Sequence, residues 1–169
     1  SQIADVNLAV EVPMVQDRDE IGLAARSLSS VKDRMVVTVR AKSALDSVER
    51  SVLITDENYN IVYVNKAGQT LFRRVENDLR QAIPTFSADK MIGSNMDMYH
   101  KNPNHQRNML SGAAAGLRTR IALSGHSFDL VANAVVDEFQ KRLGTVLEWT
   151  EVTQELAINH EVEDIVAGA

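Results

Sequence analysis

Two histidines and a tryptophan are the residues of this chain whose chemistry could hold and sense a small molecule. His100 and His105 lie five residues apart in a polar stretch, and Trp149, the only tryptophan, lies in the last segment of alternating hydrophobicity. An imidazole nitrogen can ligate a metal, whereas an indole N–H can only donate a hydrogen bond. In an apolar cavity this pair suits an iron porphyrin that carries a small gas molecule.

The same residues also have ordinary structural interpretations. In the stretch 96–106, Asn102 is a favourable helix cap and Pro103 a favourable first helical residue, which would leave both histidines as capping or solvated groups. A single tryptophan most often packs in a core. The residues themselves leave these alternatives open, and with them the choice between the two histidines as ligand. His126, after a turn, and His160, on a helix face, are expected at the surface.

Short alternating segments separated by turn residues predict the domain that would position these groups. Ser124-Gly125 is a tight connection of the kind found in hairpins. The order of the elements predicts an α+β domain with a five-stranded antiparallel sheet and helices on one face. In chain order the predicted elements are strands 51–55 and 61–65, a helix over 67–79, short helical pieces around Pro84, Gly93 and Pro103, and strands 117–123, 126–134 and 143–150.

Alternation along the last two strands selects the residues that would face a pocket. Leu147 and Trp149 share one face of the last strand, and Leu130 shares a face of the preceding strand with Ala132 and Ala134. If these faces meet the helices, Leu130 and Trp149 point into the pocket, and the small alanines leave room for a wide, flat ligand.

Amphipathic segments flank the predicted domain on both sides. Residues 19–48 contain two heptad series offset by three, which predicts a helix with a weak coiled-coil seam because Lys42 falls on one of its positions. A second amphipathic helix is predicted from residue 154, with Ile158 on its apolar face. The two heptad series are Ile21, Leu28 and Met35, and Ala24, Val31, Thr38 and Leu45.

Composition excludes several classes of function. The net charge of −5 argues against nucleic-acid binding, and the absence of cysteine excludes disulfides and thiolate-ligated metals. The absence of cysteine also fits a reducing cytoplasm, and a cytoplasmic protein is expected. No apolar run approaches the roughly 20 residues that span a bilayer. Because there is no nucleophile–base arrangement, phosphate loop or paired-carboxylate motif, we do not expect an enzyme.

The order of these elements and four short motifs resemble the PAS fold. The motifs are Ile61-x-Tyr63-x-Asn65-x-Ala67, Leu71-Phe72, Ile92-Gly93, and Glu148-Trp149-x-Glu151-Val152-Thr153. The tetrapeptide Asp19-Glu20-Ile21-Gly22, after an extended connector, resembles the second half of a HAMP signalling module. The resemblances imply three parts: residues 1–40 as a HAMP connector and second helix, 41–153 as a PAS sensor domain with its N-terminal helix, and 154–169 as an output helix leading into a following HAMP module.

A closer resemblance implies a ligand and a set of roles. Three segments resemble the haem-binding, oxygen-responsive PAS domain of soluble Aer-type chemoreceptors: Tyr99-His100-Lys101-Asn102-Pro103, Phe128-Asp129-Leu130 and Glu148-Trp149. These receptors are methyl-accepting transducers with several HAMP modules, and one member of the family is from Pseudomonas. The resemblance implies b-type haem (iron protoporphyrin IX), with His100 as proximal ligand, Trp149 as distal hydrogen-bond donor and Leu130 as a distal wall residue. It further implies O₂, with CO and NO as other candidate gases, a homodimer through the flanking helices, and a downstream chemotaxis kinase complex.

Two other functions stay open. The first is a ligand-free PAS domain that dimerises and relays signals between HAMP modules. The second is a pocket for flavin or another small ligand, although flavin photochemistry through a cysteine is excluded because the chain has none.

Overall fold

The computed structural model describes residues 20–111 and 116–153 of the 169-residue chain. The predicted output helix from residue 154, with Ile158 and His160, lies outside the described residues, as does the predicted connector before residue 20. The chain divides into two compact units, with the division between Ser47 and Val48.

The first unit contains one long helix, α1, from Glu20 to Ser47. It corresponds to the helix predicted over residues 19–48, and it is continuous through residue 40, where the resemblance to HAMP and PAS domains sets a boundary. Ile21, Leu28 and Val31 of the predicted seam are each more than half exposed in the single chain. Assignment of this helix to a HAMP module stays a prediction.

The second unit is a five-stranded antiparallel sheet with helices packed on one face, so the expected α+β arrangement is confirmed. The strand order is β2-β1-β5-β4-β3, which puts the last strand at the centre. In chain order the elements are β1 (Ser51–Asp56), β2 (Ile61–Val64), α2 (Lys66–Ala82), 3₁₀ turns at Ala88–Lys90 and Met96–Tyr99, α3 (Pro103–Ser111), β3 (Leu117–Leu123), β4 (His126–Val136) and β5 (Arg142–Glu151).

Local sequence explains where these elements turn and pack. Ser124 and Gly125 both have positive φ, 51° and 82°, as a two-residue hairpin between β3 and β4 requires. The apolar stripe of α2 is buried against the sheet, with Leu71, Phe72, Val75 and Leu79 inside. Within the two described ranges, the helices are too short or too polar to span a bilayer.

Asn65, between β2 and α2, ties both elements to the start of β1. Its side chain is fully buried, and its Oδ1 accepts hydrogen bonds from the amides of Val52 and Gly68 at 2.9 and 2.8 Å. Its Nδ2 donates to the carbonyl of Arg50 at 2.9 Å. One amide group therefore satisfies three backbone groups and caps α2.

We expect Asn65→Ala to lower the free energy of unfolding by about 3 kcal/mol, because it leaves buried backbone groups without partners. Chemical denaturation measures this change. Asn58→Ala in the exposed β1–β2 turn is the matched control, and its expected effect is below about 0.5 kcal/mol. Equal effects of the two substitutions would show that Asn65 does not join these elements.

Candidate ligand cavity

A cavity of about 500 Å³ lies between the helices and the inner face of the sheet. This volume is in the range of small-molecule and cofactor sites, roughly 300–1,000 Å³. The sheet wall is apolar apart from Trp149 and Thr119, whereas the helical wall includes both candidate histidines. The sheet wall includes Leu53, Thr119, Ile121, Phe128, Leu130 and Trp149, and the helical wall includes Phe72, Phe86, Met91, Met96, His100 and His105.

His100 enters the cavity wall directly after the 3₁₀ turn Met96–Tyr99 and is half-buried. Asn95 caps that turn, because its Oδ1 accepts a hydrogen bond from the amide of Asp97 at 3.0 Å. The Nδ1 of His100 lies 2.9 Å from the carbonyl oxygen of Met96. Because a carbonyl can only accept, Nδ1 carries a proton, and in the neutral imidazole Nε2 is then the nitrogen with the lone pair that a metal requires.

His105 also lines the cavity, but its side chain is exposed on α3. The helix begins at Pro103, and the Oδ1 of Asn102 accepts a hydrogen bond from the amide of His105 at 3.3 Å. The expected cap and first helical residue are therefore both present. They do not remove His100 from the cavity, so the capping interpretation and the ligand interpretation are compatible.

Trp149 lies on β5 directly opposite Leu130 of β4, and both side chains line the cavity as their alternation predicts. The indole contacts Phe72 and Phe128 edge-on, with ring centroids 5.5 and 5.7 Å away. Its Nε1 is buried and has no hydrogen-bond partner among the described residues. Buried N–H groups are normally paired, so an unpaired donor at a cavity wall is typical of a group that donates a hydrogen bond to a bound ligand.

The charge of the cavity wall is concentrated at one edge. Lys101 is the only lining residue in the described part of the chain with a permanent charge, and no carboxylate lines the cavity there. Lys101 and His105 are both exposed, so they lie at the opening. A ligand with an apolar body and an anionic end would satisfy this distribution.

Sequence reasoning missed part of this geometry. Ala132, expected to leave room for the ligand, is fully buried in the core and is not among the lining residues. The carbonyl of Met96, which sets the histidine tautomer, had no signal beyond its spacing of four residues from His100. Phe72 and Phe128 could have been found, since both lie on predicted inward faces.

Comparison with known families identifies a match that covers the end of α1 and the first part of the sheet domain. Residues 40–102 match the family model of the PAS domain. The methyl-accepting chemotaxis protein McpB of Pseudomonas aeruginosa is 34% identical over 152 residues, which are 90% of this chain. The chain spans only 22% of the length of that relative. By its name McpB is a methyl-accepting chemotaxis protein, in agreement with the expectation that this chain is not an enzyme.

Solved structures agree with the fold. The Aer2 receptor from Vibrio cholerae, called a dual PAS-haem oxygen sensor, is 30% identical and superimposes with a TM-score of 0.57 over 62% of this chain and 95% of its own. A PAS domain from Colwellia psychrerythraea is 19% identical, with a TM-score of 0.50 over 70% of this chain and 98% of its own, and supports the fold alone.

We expect Trp149→Phe to change the free energy of unfolding of the ligand-free protein by less than about 1 kcal/mol. The substitution removes some packing, but it also removes a buried unpaired donor whose cost is roughly 1–3 kcal/mol. Phe128→Leu, which alters the neighbouring ring, should cost about 1–2 kcal/mol, and denaturant titration compares the two. A larger loss for Trp149→Phe would identify the indole as an ordinary core group.

Proposed function

The chain belongs to the PAS domain family, and we propose that its cavity binds haem b and senses a diatomic gas, with O₂ as the principal candidate. The single observation that carries the proposal is the pairing of two groups across one cavity: His100 with a free Nε2 and Trp149 with an unpaired N–H. Among the described residues, neither of these two nitrogens has a partner in the protein.

The residues present fit haem b in three respects. The cavity is mainly apolar and has about the volume that a cofactor needs. His100 offers one neutral imidazole nitrogen, whose orientation the Met96 carbonyl holds, as is usual for histidine ligands. Lys101 at the opening provides a cation for the propionates of haem, which the rest of the apolar lining could not accommodate.

Haem b held by one histidine would supply an iron with one coordination position open to a gas. On the helical side, His100 would hold the group through Nε2. On the sheet side, Trp149 would donate its N–H to a polarised gas molecule, while Leu130 beside it would exclude water by its bulk. O₂ is a better hydrogen-bond acceptor than CO in such a site, so the sheet wall with Trp149 would favour binding of O₂ over binding of CO.

In this proposal, a change at the cavity is transmitted to the rest of the chain through the end of β5. Trp149 lies two residues before Glu151, the last residue of the strand, so a shift of the indole acts on the segment that continues toward residue 154. The proposal includes a homodimer through the flanking helices, a cytoplasmic location and signalling to a chemotaxis kinase complex. The exposed seam of α1 and the similarity to a chemotaxis protein support these parts.

A ligand-free relay domain is the main alternative. Protein interiors are close-packed, and a domain that only relays force has no need of a cavity of this size with an unpaired donor in its wall. The cavity therefore favours a ligand. Protein that stays colourless after purification from haem-supplemented cells would instead favour the relay or a different small ligand.

His100→Ala should yield protein with little haem, whereas His105→Ala should retain most of it. The reason is that His100 is half-buried with a fixed tautomer, while His105 is exposed at the opening. The Soret absorbance per mole of purified protein measures the haem content. The reverse result would identify His105 as the ligand, and loss in neither variant would exclude both.

Trp149→Phe should speed O₂ dissociation by roughly tenfold or more and affect CO dissociation less. A hydrogen bond to a partly charged acceptor contributes about 1.5–3 kcal/mol, and tenfold corresponds to about 1.4 kcal/mol. Stopped-flow measurements with both gases test the prediction, with Leu130→Ala as a variant that changes only bulk. Equal acceleration of both gases by Trp149→Phe would mean that the indole only fills space.

A further inference from the structure

A histidine outside the cavity joins two carboxylates from different elements. His126, the first residue of β4, lies with Nδ1 2.8 Å from Glu151 Oε1 and with Nε2 2.8 Å from Asp78 Oδ2. Its side chain is 19% exposed, so this residue is more buried than the surface position expected from the sequence. The Asp78–His126–Glu151 bridge thus connects α2 to the end of β5.

The bridge requires a doubly protonated imidazole. An ionised carboxylate can only accept hydrogen bonds, so both ring nitrogens must donate to keep both contacts. A neutral imidazole has one N–H and one lone pair, and the lone pair would face a carboxylate oxygen. Loss of one proton therefore breaks one of the two contacts.

The bridge lies where the last strand leaves the sheet. Glu151 also pairs with Arg74 of α2, and Thr153 Oγ1 accepts a hydrogen bond from the amide of Ser127 at 2.9 Å. The amide of Val152 donates to the carbonyl of Ser127 at 2.9 Å. The conformation of residues 151–153 therefore depends on the start of β4, where His126 lies.

We propose that protonation of His126 holds α2 against the exit of β5, and that its deprotonation loosens this exit, which gives the chain a pH input separate from its ligand cavity. The proposal needs no occupant in the cavity and stands independently of the haem proposal. It concerns the conformation of residues 151–153.

Burial determines which contact breaks. The side chain of Glu151 is 17% exposed, whereas that of Asp78 is 48% exposed. Water can replace the imidazole at Asp78 more easily than at Glu151, because a buried charge depends more on its protein partners. The neutral imidazole thus keeps its Nδ1–H on Glu151 and releases Asp78, and Arg74 remains as the second connection from α2.

The direction of the pH dependence follows from the pKa values. The hydrogen bond to Asp78, and then that to Glu151, raise the pKa of His126 above the ordinary 6.5, against the opposing effect of burial. Burial by itself raises the pKa of Glu151, but the hydrogen bonds from His126 and Arg74 together lower it, so Glu151 stays ionised. A raised histidine pKa means that the bridge stabilises the fold fully below about pH 6.5 and that this contribution is lost as pH rises through the native value.

The other charged group that faces the bridge does not reverse this direction. On α2 this is Arg74, which is paired with Glu151. Phe128, whose ring stacks on His126 with centroids 6.0 Å apart, is uncharged. Among the described residues that contact His126, it is therefore the imidazole itself that changes charge near neutrality.

Amide hydrogen exchange of the full chain tests the proposal. The protection factor of the Val152 amide, corrected for the intrinsic exchange rate, should fall roughly tenfold between about pH 6 and about pH 9, with a midpoint at the pKa of His126 measured by NMR. Asp78→Asn should lower that pKa and reduce the amplitude of the change. His126→Gln should abolish the pH dependence.

Asp89→Asn is the matched control. Asp89, in the 3₁₀ turn Ala88–Lys90, pairs with Arg73 of α2 but does not contact His126. It should retain the wild-type profile, and circular dichroism establishes that each variant is folded. The proposal is overturned if Val152 protection is constant while His126 titrates, or if His126→Gln keeps the wild-type pH dependence. It is also overturned if Asp78→Asn and Asp89→Asn behave alike.

Discussion

Strand β5 pairs with β1 on one side and with β4 on the other, and this central pairing determines which side chains can reach the cavity. Trp149 lies opposite Ser51 and Leu130 at once, so its position is fixed by two sets of backbone hydrogen bonds. A shift of one residue in either register would turn the indole to the opposite face of the sheet. The candidate site therefore depends first on backbone pairing and only then on the chemistry of the indole.

The local features of the fold could be predicted because they depend on short-range physics. Alternation locates the five strands to within two residues at each end, and Ser124-Gly125 and Asn102-Pro103 act through conformational preferences that need no distant partner. The inward position of Leu130 and Trp149 follows from period two once the strands are known. These features remain valid in any tertiary context that pairs the strands.

The contacts that decide chemistry could not be predicted in the same way. His126 meets Asp78 across 48 positions of sequence and Glu151 across 25, and nothing in the spacing of a lone histidine indicates carboxylates so distant. The unpaired indole N–H is also a property of packing, since Phe72 and Phe128 surround the ring with groups that cannot accept a hydrogen bond. Sequence patterns locate a side chain on a face, but three-dimensional packing decides whether its polar atoms find partners.

Helix α2 connects the cavity to the end of β5 through one rigid element. Phe72 contacts the indole of Trp149. Two and six residues further along the same helix, Arg74 reaches Glu151 and Asp78 reaches His126. Trp149 and Glu151 are two residues apart, so both face α2 from the same side of β5. A displacement of the indole and a change at the imidazole therefore act on the same helix–strand contact. On the two proposals, a ligand in the cavity and protonation of His126 would both act on this contact, and linkage requires any effect of one on the other to be matched by an equal reciprocal effect.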